Sequence, residues 1–503
     1  MSHWSRRDVL QGAGILAAGT ALGGSGCATT RSISEYSQWD ATEMARLVRG
    51  GQITATELLN EALAQQARWN PILNAVVMNH EQFARSEIAR GVHGALAGVP
   101  FLIKDLNTYL GGTITTEGSR FFNDAVADRD SYLVERYRKA GLVIFGKTAT
   151  PELGKSTVTE TLLHGETRNP WNPEYVPGGS SGGAAAAVAS GIIPVAHGND
   201  GGGSIRIPAS MCGLFGLKPS RFRTPLGPAR GDGGGLSTQH VISRTVRDSA
   251  LLLDVSQGPE LGAYGSIQAP QRLYVEEVGR KPGALRIGLM RSPVIPVPVH
   301  HECIAAVEKA ARLCEQLGHQ VEEITLPING LEAYQAAGFI LSLNGDLSIR
   351  QREKALGRKV TEQDIEPINW QRLQQYGNNS AEQFADARRI QVQVHWQIAE
   401  FMQNYDVLLS PTVPDLPVKV GSMGPRAPID IVNQKASVFS LFTLLYNFTG
   451  QPAMSVPLHW SESGLPVGVQ FAGRYAEEDM LLRLAAQLEE AQPWAQRRPL
   501  FPA

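Results

Sequence analysis

The chain is poor in cysteine and has no surplus of either charge. Cys27, Cys212, Cys303 and Cys314 are the only four thiols in 503 residues, and no two stand in CxxC spacing. That excludes a disulfide scaffold and a structural zinc site. Lys and Arg total 46 against 48 Asp and Glu, for a formal net charge of −2. A protein that binds nucleic acid by neutralising phosphates needs a basic excess, so that class is excluded. No repeat of fixed period and no low-complexity tract occurs. No run reaches the roughly 18 apolar residues that a membrane span requires. Nothing in the sequence calls for a metal or a cofactor.

Glycine and proline are plentiful, 52 and 30 residues, and their placement is informative. Length alone suggests about three domains. The order of elements instead reads as one large α/β domain behind an N-terminal segment. Residues 1–30 begin with Arg6 and Arg7 and continue through a mild apolar run, Val9 to Gly24, too short to span a bilayer. Ser5-Arg6-Arg7-Asp8-Val9-Leu10 is similar to a twin-arginine export signal, so a periplasmic or exported location is expected. Cys27 is a conceivable lipid anchor, although Gly24 is a poor residue three positions before it. A frayed basic terminus is the alternative.

Thr54 and Glu57 are spaced as a capping box and predict a helix from Thr54 to Gln66. Tyr132–Ala140 and Ile304–Leu317 have helical periodicity. Ala75–Met78, Val99–Ile103, Leu142–Phe145, Gln320–Ile324, Asp406–Leu409 and Ala453–Val456 read as strands. Helix alternating with strand predicts a mixed, twisted central sheet covered by helices. Residues 258–283 read as a surface connection, and 330–404 as a helical cap or outer layer.

Two motifs are decoys. Gly141 to Thr148 matches GxxxxGK[ST], but its middle residues are Leu142, Val143, Ile144 and Phe145. A phosphate loop must wrap backbone N–H groups around an anion, and four apolar residues predict a buried strand instead. Gly178-Gly179-Ser180-Ser181-Gly182 matches GxSxG. A nucleophile elbow needs a strand before it, and Asn172 to Pro177 is a poor strand. An α/β-hydrolase-like esterase using Ser180 stays as an alternative.

The third pattern joins distant pieces. Lys104 ends the apolar run Gly98 to Ile103. Ser180 lies in a Gly-rich turn. Ser204 closes Asn199-Asp200-Gly201-Gly202-Gly203-Ser204. Glycine lets consecutive N–H groups converge on one point, as an oxyanion hole requires. Asp200 and Arg206 either pair to brace this turn or leave Asp200 exposed. His197 reads as a packed, hydrogen-bonded residue, and Cys212 as a small core residue.

This joint pattern resembles the amidase signature family over roughly Ile33 to Pro499. The densest match is PGGSSGG followed by HGNDGGGSIRIPASMCGLFGLKPS, within Pro177–Pro219. Lys104-Asp105, Gly146-Lys147-Thr148, Thr167 to Asn172, Tyr405-Asp406, Pro411-Thr412 and Asn447 to Ala453 also fit. TRNPWN, AHGND and IRIPASMCG are most similar to the family's 6-aminohexanoate-cyclic-dimer hydrolase group. The resemblance implies one domain over 31–503, with a catalytic core about 70–257 and 405–475. It implies an amide hydrolase working through a Ser-Ser-Lys triad and a seryl acyl-enzyme, on linear or cyclic oligoamides or peptide amides. Ser204 would be the nucleophile and Ser180 the bridging serine, held by a cis peptide in the family. Lys104 would be the base acting through Ser180. The N–H groups of Gly201, Gly202, Gly203 and Ser204 would form the oxyanion hole. Two departures stand out. Gly201 replaces the family's usual Thr or Ser, which is expected to loosen the hole, and Ala184 replaces a frequent Ser.

Amide attack needs an activated hydroxyl, a stabilised oxyanion and a proton for the leaving nitrogen. Lys104 can act as base only when neutral, which demands burial. Asp105 would oppose this if it reached the amine, but strand alternation sends it to the other face. Specificity is expected from 330–404 and from loops near 110–125, 221–235 and 440–450. The partner is a small amide, and monomer and homodimer both stay open. A glutaminase-type amidotransferase subunit and a non-catalytic binding protein are the rival functions. The export segment argues against the first, and retention of Lys104, Ser180 and Ser204 against the second.

Overall fold

A computed structural model describes residues 32–228, 234–376 and 379–500. The expected export segment and Cys27 lie outside the described residues. Three strands, β1 (Val76–Asn79), β2 (Pro100–Lys104) and β3 (Val143–Thr148), form a small sheet in the order β1-β3-β2. In it β2 runs parallel and β1 antiparallel to β3. A short hairpin follows, β4 (Glu160–Thr161) and β5 (Gly165–Glu166). The remaining strands are β6 (Val195–Asp200), β7 (Phe215–Lys218), β8 (Thr238–Ser243), β9 (Arg286–Leu289), β10 (Gln320–Glu323), β11 (Val407–Pro411), β12 (Ala453–Trp460) and β13 (Pro466–Gly473). They build an eight-stranded mixed sheet ordered β10-β9-β11-β13-β12-β7-β8-β6. Its β10-β9-β11 end is parallel, and the rest is antiparallel. The α/β expectation holds, with the sheet divided in two rather than continuous.

The two sheets meet where β2 and β6 lie side by side. No backbone ladder joins them there. Instead the Lys104 N–H donates to His197 Nδ1 at 3.2 Å. The helix Gly182–Ala189 packs on both sheets, and all eight of its residues are buried. Glycine or alanine at every position but Val188 lets it lie that close, and a helix apolar on all sides belongs in a core. The Gly/Ala richness of this stretch is therefore a packing feature.

The predicted elements appear with shifted ends. The Thr54 capping box is present, but the helix runs through Pro71 to Leu73, where Trp69 and Leu73 are buried. β3 extends through Gly146, Lys147 and Thr148, all buried. That places the GxxxxGKT match in a strand, as its apolar centre requires. The helices Gly330–Leu356 and Ala381–Phe401 pack on each other through Ala333, Ala337, Ile340, Ile390 and Val394. With Pro367–Tyr376 they form the outer layer, and the helices Gly330–Leu356 and Pro367–Tyr376 line the cavity described below. Among the described residues, no helix is long and apolar enough to cross a membrane.

Candidate active site

Lys104 ends β2 and Asn199 and Asp200 end β6, and the two strand ends converge. Lys104 is fully buried. Its amine donates to Ser180 Oγ at 2.7 Å, Asn199 Oδ1 at 2.7 Å and Ser181 Oγ at 3.0 Å. Burial holds this amine well below the ordinary lysine range, against the pull of Asp200 and Glu117 in the other direction. Asp105 does turn away. Its carboxylate accepts from the Thr116 N–H at 2.9 Å and from the Thr116 hydroxyl, with His164 3.8 Å off. Asn199 is itself fixed, donating from Nδ2 to the Leu106 carbonyl at 3.0 Å.

Ser180 follows a cis Gly179–Ser180 peptide. A Cβ on Gly179 would stand 2.8 Å from the Thr157–Val158 backbone, so the turn needs glycine there. No strand leads into this turn, and Ser180 is hydrogen-bonded to a lysine rather than a histidine. The GxSxG match is thus not a nucleophile elbow.

Ser204 closes the triglycine turn. Its carbonyl accepts from the Ser181 N–H at 3.2 Å, which ties the two serine-bearing turns together. Ser180 and Ser204 line one cavity, of about 1000 Å³. Among the described residues no hydrogen bond joins their hydroxyls. The N–H groups of Gly201, Gly202 and Ser204 take no acceptor among the described residues. Gly203 differs from its expected role, because its N–H donates to Asp200 Oδ1 at 2.7 Å. The Asp200 carboxylate closes the turn on itself and occupies that donor.

Asp200 is not an exposed turn residue. It forms a fully buried ion pair with Arg206, Nη2 to Oδ1 at 3.0 Å and Nε to Oδ2 at 3.0 Å. It also accepts from Asn447 Nδ2 at 2.9 Å. Burial pushes this carboxyl up, but the Arg206 charge and hydrogen bonds outweigh it and hold Asp200 well below the usual carboxylate range. His197 accepts the Lys104 N–H at Nδ1 and places Nε2 2.9 Å from Gln239 Oε1. Burial pushes it down to about 3, so it is a neutral, packed residue, as read from the sequence. Cys212 is buried with its thiol pushed up, again a core residue.

Ser181 and Asn199 were not singled out from the sequence, yet both hold the Lys104 amine. Their one signal is adjacency, Ser181 to Ser180 and Asn199 to Asp200. Of the segments expected to govern specificity, 330–404 lines the cavity with Tyr334, Phe339 and Leu341, and 440–450 with Ser440, Leu441 and Leu444. Leu226 comes from 221–235. Loop 110–125 contributes nothing to the lining. Its Thr115 and Thr116 instead satisfy the buried Lys147 and Asp105. Leu153–Thr157, Ile295, Val297, Asn433 and Ala436–Val438 line the cavity unforeseen.

The amidase family model matches residues 57–482. The chain is 38% identical over 487 residues to the 6-aminohexanoate-cyclic-dimer hydrolase of Paenarthrobacter ureafaciens, covering 93% of this chain and 98% of that one. It superposes on a structure of 6-aminohexanoate cyclic dimer hydrolase complexed with substrate with a TM-score of 0.88 and 36% identity, covering 92% of this chain and 99% of that one. A bacterial aryl acylamidase of the amidase signature family gives 0.83 at 29% identity, covering 91% and 97%. Agreement of this depth runs the length of the fold that brings Ser180 and Ser204 to one cavity with Lys104 bonded to Ser180, and the chain belongs to the amidase family of carbon–nitrogen hydrolases.

Proposed function

We propose that Ser204 attacks the carbonyl of a carboxamide and carries the acyl group. Lys104, neutral, takes a proton from Ser180 as Ser180 takes one from Ser204. The N–H groups of Gly201, Gly202 and Ser204 hold the oxyanion. The proton then passes to the leaving amine, and water cleaves the acyl-enzyme. The observation that carries this reading is the Lys104–Ser180 hydrogen bond of 2.7 Å, made by an amine buried from water beside the cavity that Ser204 lines. A buried ammonium would be costly, so the geometry favours a base.

The substrate class follows the kinship and the cavity. About 1000 Å³ lined by Leu106, Leu153, Phe339, Leu341 and Leu444 suits an oligoamide, linear or cyclic, or a peptide amide with an apolar acyl part. Arg6 and Arg7 support export to the periplasm, which fractionating the cells that make the full chain tests directly.

Ser204→Ala should abolish hydrolysis of linear and cyclic amides while the protein still folds. A fluorophosphonate should label Ser204, located by peptide mass spectrometry. Label on Ser180, or normal turnover by Ser204→Ala, sinks the mechanism.

A further inference from the structure

Three of the four peptide units from Asp200 to Ser204 are held individually. The Asp200 carbonyl accepts from Asn447 Nδ2 at 2.9 Å. The Gly203 carbonyl accepts from the Ile207 N–H at 2.7 Å. The Gly202–Gly203 unit is pinned at both ends. Its N–H goes to Asp200 Oδ1 at 2.7 Å, and its carbonyl accepts from Thr443 Oγ1 at 2.6 Å. A peptide unit is a rigid plane. Fixing both ends of this one fixes the plane from which the two flanking units, carrying the Gly202 and Ser204 N–H groups, extend. Glycine supplies no Cβ restraint of its own. Gly203 has φ 132°, and a Cβ there would fall 2.3 Å from Thr443 Oγ1.

Thr443 is unusual for its place. It precedes the helix Leu444–Phe448, where a threonine hydroxyl normally caps a backbone N–H. Here the side chain caps nothing and reaches across to Gly202. Its second contact, to the Ser440 carbonyl, is longer at 3.2 Å. Its own carbonyl is fixed by Arg206 Nη1 at 2.9 Å, and the residue is fully buried. Thr443 therefore stands between the buried ion pair and the triglycine turn.

We propose that Thr443 is a positioning residue for amide hydrolysis: its hydroxyl locks the Gly202–Gly203 peptide so that the Gly202 and Ser204 N–H groups stay aimed at the oxyanion. The inference rests on the Ser204 mechanism above. Thr443 touches no reacting atom. Its effect falls on the transition state rather than on substrate binding.

Thr443→Val keeps the shape and removes the hydroxyl. Its kcat should fall about 10- to 100-fold, short of the roughly 10²–10³ that follows outright loss of an oxyanion donor. KM should change by less than about threefold, because the lost interaction acts only in the transition state. Inhibition by a boronic acid, which forms a tetrahedral adduct on serine, should weaken by the same factor as kcat. Thr443→Ser should restore both. Thr443→Ala repeats the comparison without the valine methyls and should show the same kcat loss. Wild-type kcat in Thr443→Val or Thr443→Ala overturns the inference. So does Thr443→Ser remaining as slow as Thr443→Val, or a loss confined to KM. Ser204→Ala run alongside separates the two claims. If it turns over normally, the acyl-enzyme reading fails whatever Thr443 does. If it is inactive while Thr443→Val is normal, only the present inference fails.

Discussion

The amine of Lys104 stands 2.7 Å from the hydroxyl of Ser180, and the amine is fully buried. In that setting the pair exchanges a proton at low cost only if the amine starts neutral. Burial supplies that condition, while Asn199 Oδ1 and Ser181 Oγ hold the amine in place. The polar atoms around Lys104 are thus arranged for direction, and the apolar strand around it for proton affinity.

Loss of the amine in Lys104→Met should lower kcat/KM by about 10²–10⁴, the usual worth of a positioned base. In the wild type, activity should fall as pH drops through the depressed lysine value, because protonation removes the base. Stability carries a matching sign. The unfolded chain binds a proton up to about 10.5 that the folded chain lacks, so unfolding free energy rises with pH between the depressed value and 10.5. Denaturant titrations across that range should show this slope in the wild type and a smaller one in Lys104→Met. Identical slopes would mean that Lys104 is charged in the folded protein.

Arg206→Leu would leave the Asp200 carboxylate buried without its cation. Breaking one side of a buried pair typically costs about 3–5 kcal/mol. Urea unfolding should show a loss of that size, with activity falling as the turn loosens. Arg206→Lys should not rescue, since one guanidinium serves Asp200, Asn447, Gln470 and the Thr443 carbonyl at once. Full rescue by lysine would show that charge alone matters there.

The strand ending in Lys104 was legible as a local pattern, but the role of its amine was legible only through the resemblance that joins it to Ser180 and Ser204. The Thr54 capping box was likewise legible as a local pattern. β6 was not. Its sequence Val-Ala-His-Gly-Asn-Asp has neither strand periodicity nor β-branched richness, and it is extended because β8 pairs with it along its length. Asn199 was hidden with it. The cavity wall was legible only in part, since residues such as Ile295 and Asn433 come to share a cavity with Ser204 through tertiary packing alone. Loop 110–125 misled for a physical reason. Its threonines are polar because they satisfy a buried lysine and a buried aspartate, not because they face a substrate.

Glu366 and Glu152 form a buried carboxyl pair beneath the outer helices. The Glu366 N–H donates to Glu152 Oε2 at 2.7 Å, and Glu366 Oε1 accepts from the Leu162 N–H at 2.8 Å. Burial and then the charge of Glu152 push Glu366 up to about 8, with Arg120 opposing and Glu160 adding to the rise. A raised carboxyl binds a proton in the folded state that the unfolded chain has lost, so stability should fall as pH climbs from about 4.5 to about 8. Glu366→Gln keeps the acceptor and removes the titration, so its stability should depend less on pH across that window. Parallel wild-type and variant curves would exclude this carboxyl as the source.

Gly201 occupies the position where the family's usual residue has a hydroxyl, and the cavity explains what a side chain would meet there. A Cβ would lie 3.3 Å from Ser237 Oγ and 3.4 Å from Leu341 Cδ2, both on the cavity wall. The turn does not depend on that side chain for anchorage, because Asn447 already holds the Asp200 carbonyl. Glycine here therefore leaves that part of the cavity wider. Gly201→Thr should raise KM several-fold for bulky or cyclic amides and leave a small linear amide nearly unchanged, since the crowding falls on binding space rather than on the N–H donors. Combining it with Leu341→Ala should return much of the lost affinity. A uniform fall in kcat for large and small amides alike would instead place the effect in the oxyanion hole.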